Sequence, residues 1–91
     1  MFNITNIKAM AESGRTEEAI ASLDDYLSGV GKDNDDAWFL RGRICWQRGD
    51  SKAAIADYKR ALELNPDSPA GIALDQLYNI MDFFNPDIFN P

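Results

Sequence analysis

Gly14 and Gly49 stand 35 residues apart, and the residues behind them repeat as well. Gly14-Arg-Thr-Glu-Glu-Ala19-Ile20 is matched by Gly49-Asp-Ser-Lys-Ala-Ala54-Ile55, with Ala-Ile at the same distance after each glycine. A self-similar period of this size marks structural units that cannot bury an apolar face alone and stack on one another to do so. With 91 residues there is room for one domain, so the array is short.

The punctuation between the glycines is equally regular. Gly14, Gly31 and Gly49 interrupt apolar-periodic stretches, as do Asn65-Pro66 and Asn85-Pro86. Five helices are predicted between them, over residues 2–13, 16–29, 35–48, 51–64 and 68–84. Thr16, followed by Glu17 and Glu18, is placed to cap the second helix and to complement its positive end. Asp50 or Ser51 does the same for the fourth, and Ser68-Pro69 pairs a cap with proline at the first helical position. Gly49 suits the left-handed conformation that closes a helix. No stretch alternates apolar and polar as a half-buried strand would, so the fold class is all-α.

The helices differ in what they must bury. In the fourth, Ala54, Ile55, Tyr58, Ala61 and Leu62 fall at helical spacing, while Lys52, Asp57, Lys59, Arg60 and Glu63 lie mainly elsewhere. In the third, Trp38, Gly42 and Cys45 form one stripe and Phe39, Arg43 and Trp46 a second, with Leu40 and Ile44 joining the two. A helix that is apolar over most of its circumference is covered on more than one side. Gly42 and Ala61 are small where two helices would approach closely.

These residues resemble the tetratricopeptide repeat (TPR), a helix–turn–helix unit of about 34 residues with a W-x2-L-G-x2-Y…A-x3-F…P pattern. Trp38, Gly42, Ala54, Tyr58 in place of Phe, Ala61 and Pro66 fall at family positions. Arg41 stands where the family has Leu, and Cys45 where it has Tyr. The first unit is degenerate: Gly14, Ala19 and Leu23 fit, but Asn3, Asn6, Ile7 and Met10 occupy the Trp, Leu, Gly and Tyr positions. Tyr26 replaces a small Ala there, and Gly31 a Pro. The resemblance implies antiparallel helical hairpins stacked as a short right-handed superhelix. It divides the chain into a single domain over 1–84 (repeat one 2–31, repeat two 35–67, closing helix 68–84) and a C-terminal tail, 85–91.

The same resemblance implies a concave face that holds a peptide or partner protein, and only rarely catalysis. First helices of each repeat line that face, which places Ile4 and Lys8, then Phe39, Arg43, Trp46 and Gln47, then Ala73, Leu77, Ile80 and Met81 along it. The expected partner-binding residues are Lys8, Phe39, Arg43, Trp46, Gln47, Leu77 and Met81. Phe39, Arg43 and Trp46 recur at helical spacing, so an arginine sits between two rings. Such a surface suits an apolar side chain and a carboxylate, unless both rings are core residues instead. The carboxylate clamp of some family members needs asparagines where this chain has Lys8 and Leu40, and that role is not carried over.

Composition narrows the partner class. A net charge of −6, without a cluster of Lys and Arg, argues against nucleic acid. No run approaches membrane-spanning length and the N-terminus carries no export signal, so a cytoplasmic protein is expected. A single cysteine, Cys45, excludes an internal disulfide. With no histidine to activate it, it reads as a small core residue. The Asn3-Ile4-Thr5 acceptor pattern reads as chance. Asp33, Asp35 and Asp36 lack the glycine turn and closing glutamate of a calcium loop. No metal, cofactor or catalytic constellation is expected, and the chain reads as a non-enzyme.

The last predicted helix carries two apolar stripes, Ala73-Leu77-Ile80-Phe84 and Ala70-Leu74-Tyr78-Met81. Repeat arrays ordinarily end on a helix with a polar outer face, so this one requires cover, by Ile88 and Phe89 of the tail, by another copy or by a partner. The alternative function is accordingly a self-associating structural unit, a homodimer formed through the last helix and tail.

Overall fold

The computed structural model describes residues 3–84, with side chains through residue 80. Five helices follow in order: α1 (Ile4–Glu12), α2 (Thr16–Leu27), α3 (Asp35–Gln47), α4 (Ser51–Leu64) and α5 (Ala70–Phe84). Each lies within its expected span, and no strand occurs among the described residues. The boundaries follow local chemistry. Gly14 and Gly49 take φ values of +87° and +83°, a conformation that side chains with a Cβ rarely adopt. The Asp50 carboxylate accepts from the Ala53 amide at 3.1 Å, and Ser68 Oγ from the Ala70 amide at 3.1 Å.

One cap differs from expectation, and one was not foreseen. Arg15, with no side-chain hydrogen bond to the backbone, occupies the cap of α2, and Thr16 is already helical. Asn3 caps α1, its Oδ1 accepting from the Thr5 amide at 2.9 Å. The tail and the proposed cover by Ile88 and Phe89 lie outside the described residues.

The helices pack in series, each chiefly on its chain neighbours, with α1 also reaching α3. The result is an elongated body of 47 × 28 × 18 Å. Helix α3 divides it into two cores. On one side Ala37, Leu40 and Ile44 meet Ile7 of α1 and Ala19, Leu23 and Leu27 of α2. On the other, Cys45 meets Ala54, Tyr58 and Ala61 of α4 and Ala70 and Leu77 of α5. Leu23 and Ile44 are removed from water entirely, a gain of about 2 kcal/mol each. The nearly all-round apolar sequence of α3 is thus explained by cover on two sides.

Close approach depends on small residues at two places. A Cβ on Gly42 would stand 2.7 Å from the Tyr58 ring, so the α3–α4 contact requires glycine. Gly31 lies under the ring of Tyr26, where a Cβ would meet ring carbons at 2.1 Å. The oversized residue at 26 is therefore accommodated by the missing side chain at 31. Asn34 Nδ2 donates to Tyr26 Oη at 3.1 Å, and Trp38 Nε1 donates to the Lys32 carbonyl at 2.8 Å, pinning the connection between α2 and α3.

Asp57, expected on the polar face of α4, is instead buried at 4% exposure. Arg41 explains it. Its Nε and Nη2 donate to the two Asp57 oxygens at 2.9 and 2.8 Å, and its Nη1 donates to Asp24 of α2 at 2.9 Å. The guanidinium also lies over the Trp38 ring, 4.7 Å from its centre. Bonding to Asp57 raises the Arg41 pKa above its already high value. One side chain at the family's Leu position thus ties α2, α3 and α4 together.

Candidate functional site

The expected face is divided by the structure into two adjoining grooves. The larger, about 510 Å³, runs between α3 and α5. Phe39, Arg43, Trp46 and Gln47 form its α3 wall. Pro69, Ile72, Ala73, Gln76 and Ile80 form the opposite wall, with Tyr58 and Leu77 also lining it. Four of the expected partner-binding residues therefore share one wall. Met81 lies beyond the described side chains.

The rings are neither free nor wholly core. Phe39 and Trp46 are half-buried against the second core, and Phe39 packs on Tyr58 with ring centres 5.8 Å apart. Arg43 is exposed and lies over Phe39, 5.9 Å from the ring centre. Of the two rings flanking it in sequence, Phe39 is the one it covers. Arg43 is the sole charged residue lining this groove among the described residues, in a chain with 15 acidic and 9 basic side chains.

Two expected residues sit differently. Leu77 is 2% exposed and belongs to the second core, so it contributes only an edge to the groove floor. Lys8 lines the adjoining groove between α1 and α3, with Ala11, Glu12, Leu40 and Ile44. Arg43 and Gln47 line both grooves and join them. Beside Lys8 the surface is mixed, since Glu12 offsets its charge.

Sequence reasoning missed Ile72 and Gln76. Helix α5 is turned so that Ala70 and Leu77 are buried, while Ile72, Tyr78 and Ile80 stand 69%, 42% and 41% exposed. The signal was the i, i+4, i+8 series Ile72-Gln76-Ile80, which is hidden in a helix apolar on most sides. No described helix is long and apolar enough to cross a membrane. No group of three or more metal-ligating side chains occurs among the described residues. Burial, then the negative charge of Asp57 and Asp50, pushes the Cys45 thiol up, away from the thiolate a nucleophile needs.

Comparison with known proteins agrees with the architecture. None of the curated proteins searched matches this chain. The solution NMR structure of Bacteroides fragilis protein BF1650 is similar, at 37% identity and a TM-score of 0.85, covering 99% of this chain and 91% of that one. The family model described as Tetratricopeptide repeat matches residues 7–69, well over half the chain. Its hairpin of α3 and α4, turned at Gly49 and closed by Pro66, lies wholly inside that match, and the chain belongs to the tetratricopeptide repeat family.

Proposed function

We propose that this chain is a protein-interaction module of two repeats, 2–31 and 35–67, closed by the helix over 68–84, which holds an extended segment of a partner in the α3–α5 groove. Repeats of this family generally mediate protein–protein interaction and typically serve as non-enzymatic scaffolds. One observation carries the specific reading: an open, largely apolar groove whose lining among the described residues includes a cation and no carboxylate, on a chain of net charge −6. The ligand this favours has apolar side chains to fill the space between Phe39, Trp46 and Ile72, and a carboxylate within reach of Arg43. The Gln47 and Gln76 amides supply donors and acceptors for an extended backbone. Lys8, in the adjoining groove, extends the same surface toward a further acidic residue. A cytoplasmic setting accords with the single cysteine.

The test is an NMR titration with short synthetic peptides that pair apolar residues with either Asp or Lys. The Asp peptides are expected to bind about tenfold more tightly and to move Phe39, Trp46 and Ile72 resonances, with that preference lost in Arg43→Glu. Equal binding by Arg43→Glu, or shifts confined to α1 and α2, would overturn the assignment.

Self-association through α5 is supported by the exposure of Ile72, Tyr78 and Ile80. It predicts a molar mass by light scattering that rises with concentration and falls back to monomer in Ile72→Asp or Ile80→Asp. A Leu77 substitution would injure the core and is not a test of this interface.

A further inference from the structure

We propose that residues 85–91 of this same chain are the resident occupant of the α3–α5 groove, a strap that a partner must displace. The proposal rests on the groove reading above and adds a regulation to it.

The first argument is position. Helix α5 runs to Phe84, and the groove is lined up to Ile80, one helical turn earlier. Residues 85–91 are therefore joined to the helix beside the groove's end. In sequence, Asn85-Pro86 is a helix-stop signal, because proline cannot continue a helix and biases the residue before it toward an extended backbone.

The second is reach. With Asn85 and Pro86 spent in a reversal, an extended chain of about 3.3 Å per residue carries Ile88 and Phe89 roughly 7 and 10 Å back along the helix. Along α5, at about 1.5 Å per residue, Ile80 lies roughly 6 Å back and Gln76 roughly 12 Å back. After a reversal at Asn85-Pro86, the two apolar residues come level with that stretch of the groove wall.

The third is chemistry. Asp87 is the one charged residue in 85–91, and it stands next to Ile88-Phe89. Arg43 is the one charged residue lining the groove among those described, and it stands beside apolar rings. The segment thus carries the apolar–acidic pattern that the groove selects. Its prolines restrict the free segment and lower the ordering cost of docking.

Tethering makes a weak contact sufficient. A short linker presents the segment at an effective concentration in the millimolar range. An intrinsic dissociation constant of about 0.1 mM would then leave the groove about nine-tenths filled. A partner's apparent affinity would fall about tenfold.

The test compares the full chain with the full chain carrying Ile88→Ser and Phe89→Ser, by NMR, each titrated with a synthetic peptide of the sequence of residues 85–90. If the strap occupies the groove, the double substitution moves the Trp46 indole and the Ile72 and Gln76 amides but not α1 and α2. The peptide then binds the substituted chain about tenfold more tightly than the unsubstituted one. Unmoved groove resonances, with the peptide binding both chains alike in the groove, would overturn the strap and leave the groove reading standing. No binding of this peptide or of the Asp peptides by either chain would overturn both. A concentration-dependent mass abolished by the double substitution would place the segment on a second copy and overturn the strap.

Discussion

Arg41 shows how a single departure from a family pattern becomes indispensable in its own setting. Replacing it with the family residue, Arg41→Leu, leaves the buried Asp57 carboxylate without its two charged hydrogen bonds. The expected cost is about 3 kcal/mol, read as a fall in the denaturant midpoint. Arg41→Leu combined with Asp57→Leu should recover most of that loss, since no buried charge is then left alone. Little of this was legible beforehand. A charged residue on an amphipathic helix ordinarily marks the wet face, and the two partners are 16 residues apart on different helices. The turn glycines, by contrast, were readable because a left-handed backbone is a demand met by one residue type at one position. A further residue-scale prediction concerns pH. Burial raises the pKa of both Cys45 and Tyr58, so each holds its proton more tightly folded than unfolded. The stability they contribute is complete below the ordinary thiol range, about 8.5. It declines as pH rises through that value and further above about 10, where the unfolded tyrosine ionises. Denaturant melts at pH 7, 9 and 10.5 should show that decline, reduced in Cys45→Ala.

At the scale of the element, the two repeat turns offer a controlled comparison. Asp50 and Arg15 occupy the same place after Gly49 and Gly14, yet only Asp50 accepts a bond from the first turn of its helix. Asp50→Ala should destabilise the protein by about 1 kcal/mol in a denaturant melt. Amide exchange should be faster at Glu18, which has no such acceptor in α2, than at Ala53 of α4. Element boundaries were legible because caps, prolines and glycines act within a few residues of where they stand. The rotation of α5 was not. A helix apolar on most sides has several equivalent ways to face its neighbours, and only the fit of Ala70 and Leu77 against α4 selects one. That choice turned Leu77 inward and Ile72 outward, changing which residues make the groove.

In the whole molecule, serial packing separates two cores that share one wall. Leu23→Ala should cost about 3 kcal/mol in global stability, because Leu23 is fully buried in the first core. Hydrogen exchange should quicken in α1 and α2 well before it does in α4 and α5, as nearest-neighbour coupling in a repeat array requires. Uniform loss of protection across all five helices would count against it. The two-sided cover of α3 also sets an order of assembly during synthesis. The first core draws on nothing beyond Ile44 and can close once α3 has emerged. The second waits for Leu77, some thirty residues later. Until then Phe39, Cys45 and Trp46 have at most the α4 part of their cover and lack the α5 part. The surface that later serves as one wall of a groove is therefore, in the nascent chain, an apolar surface awaiting its cover.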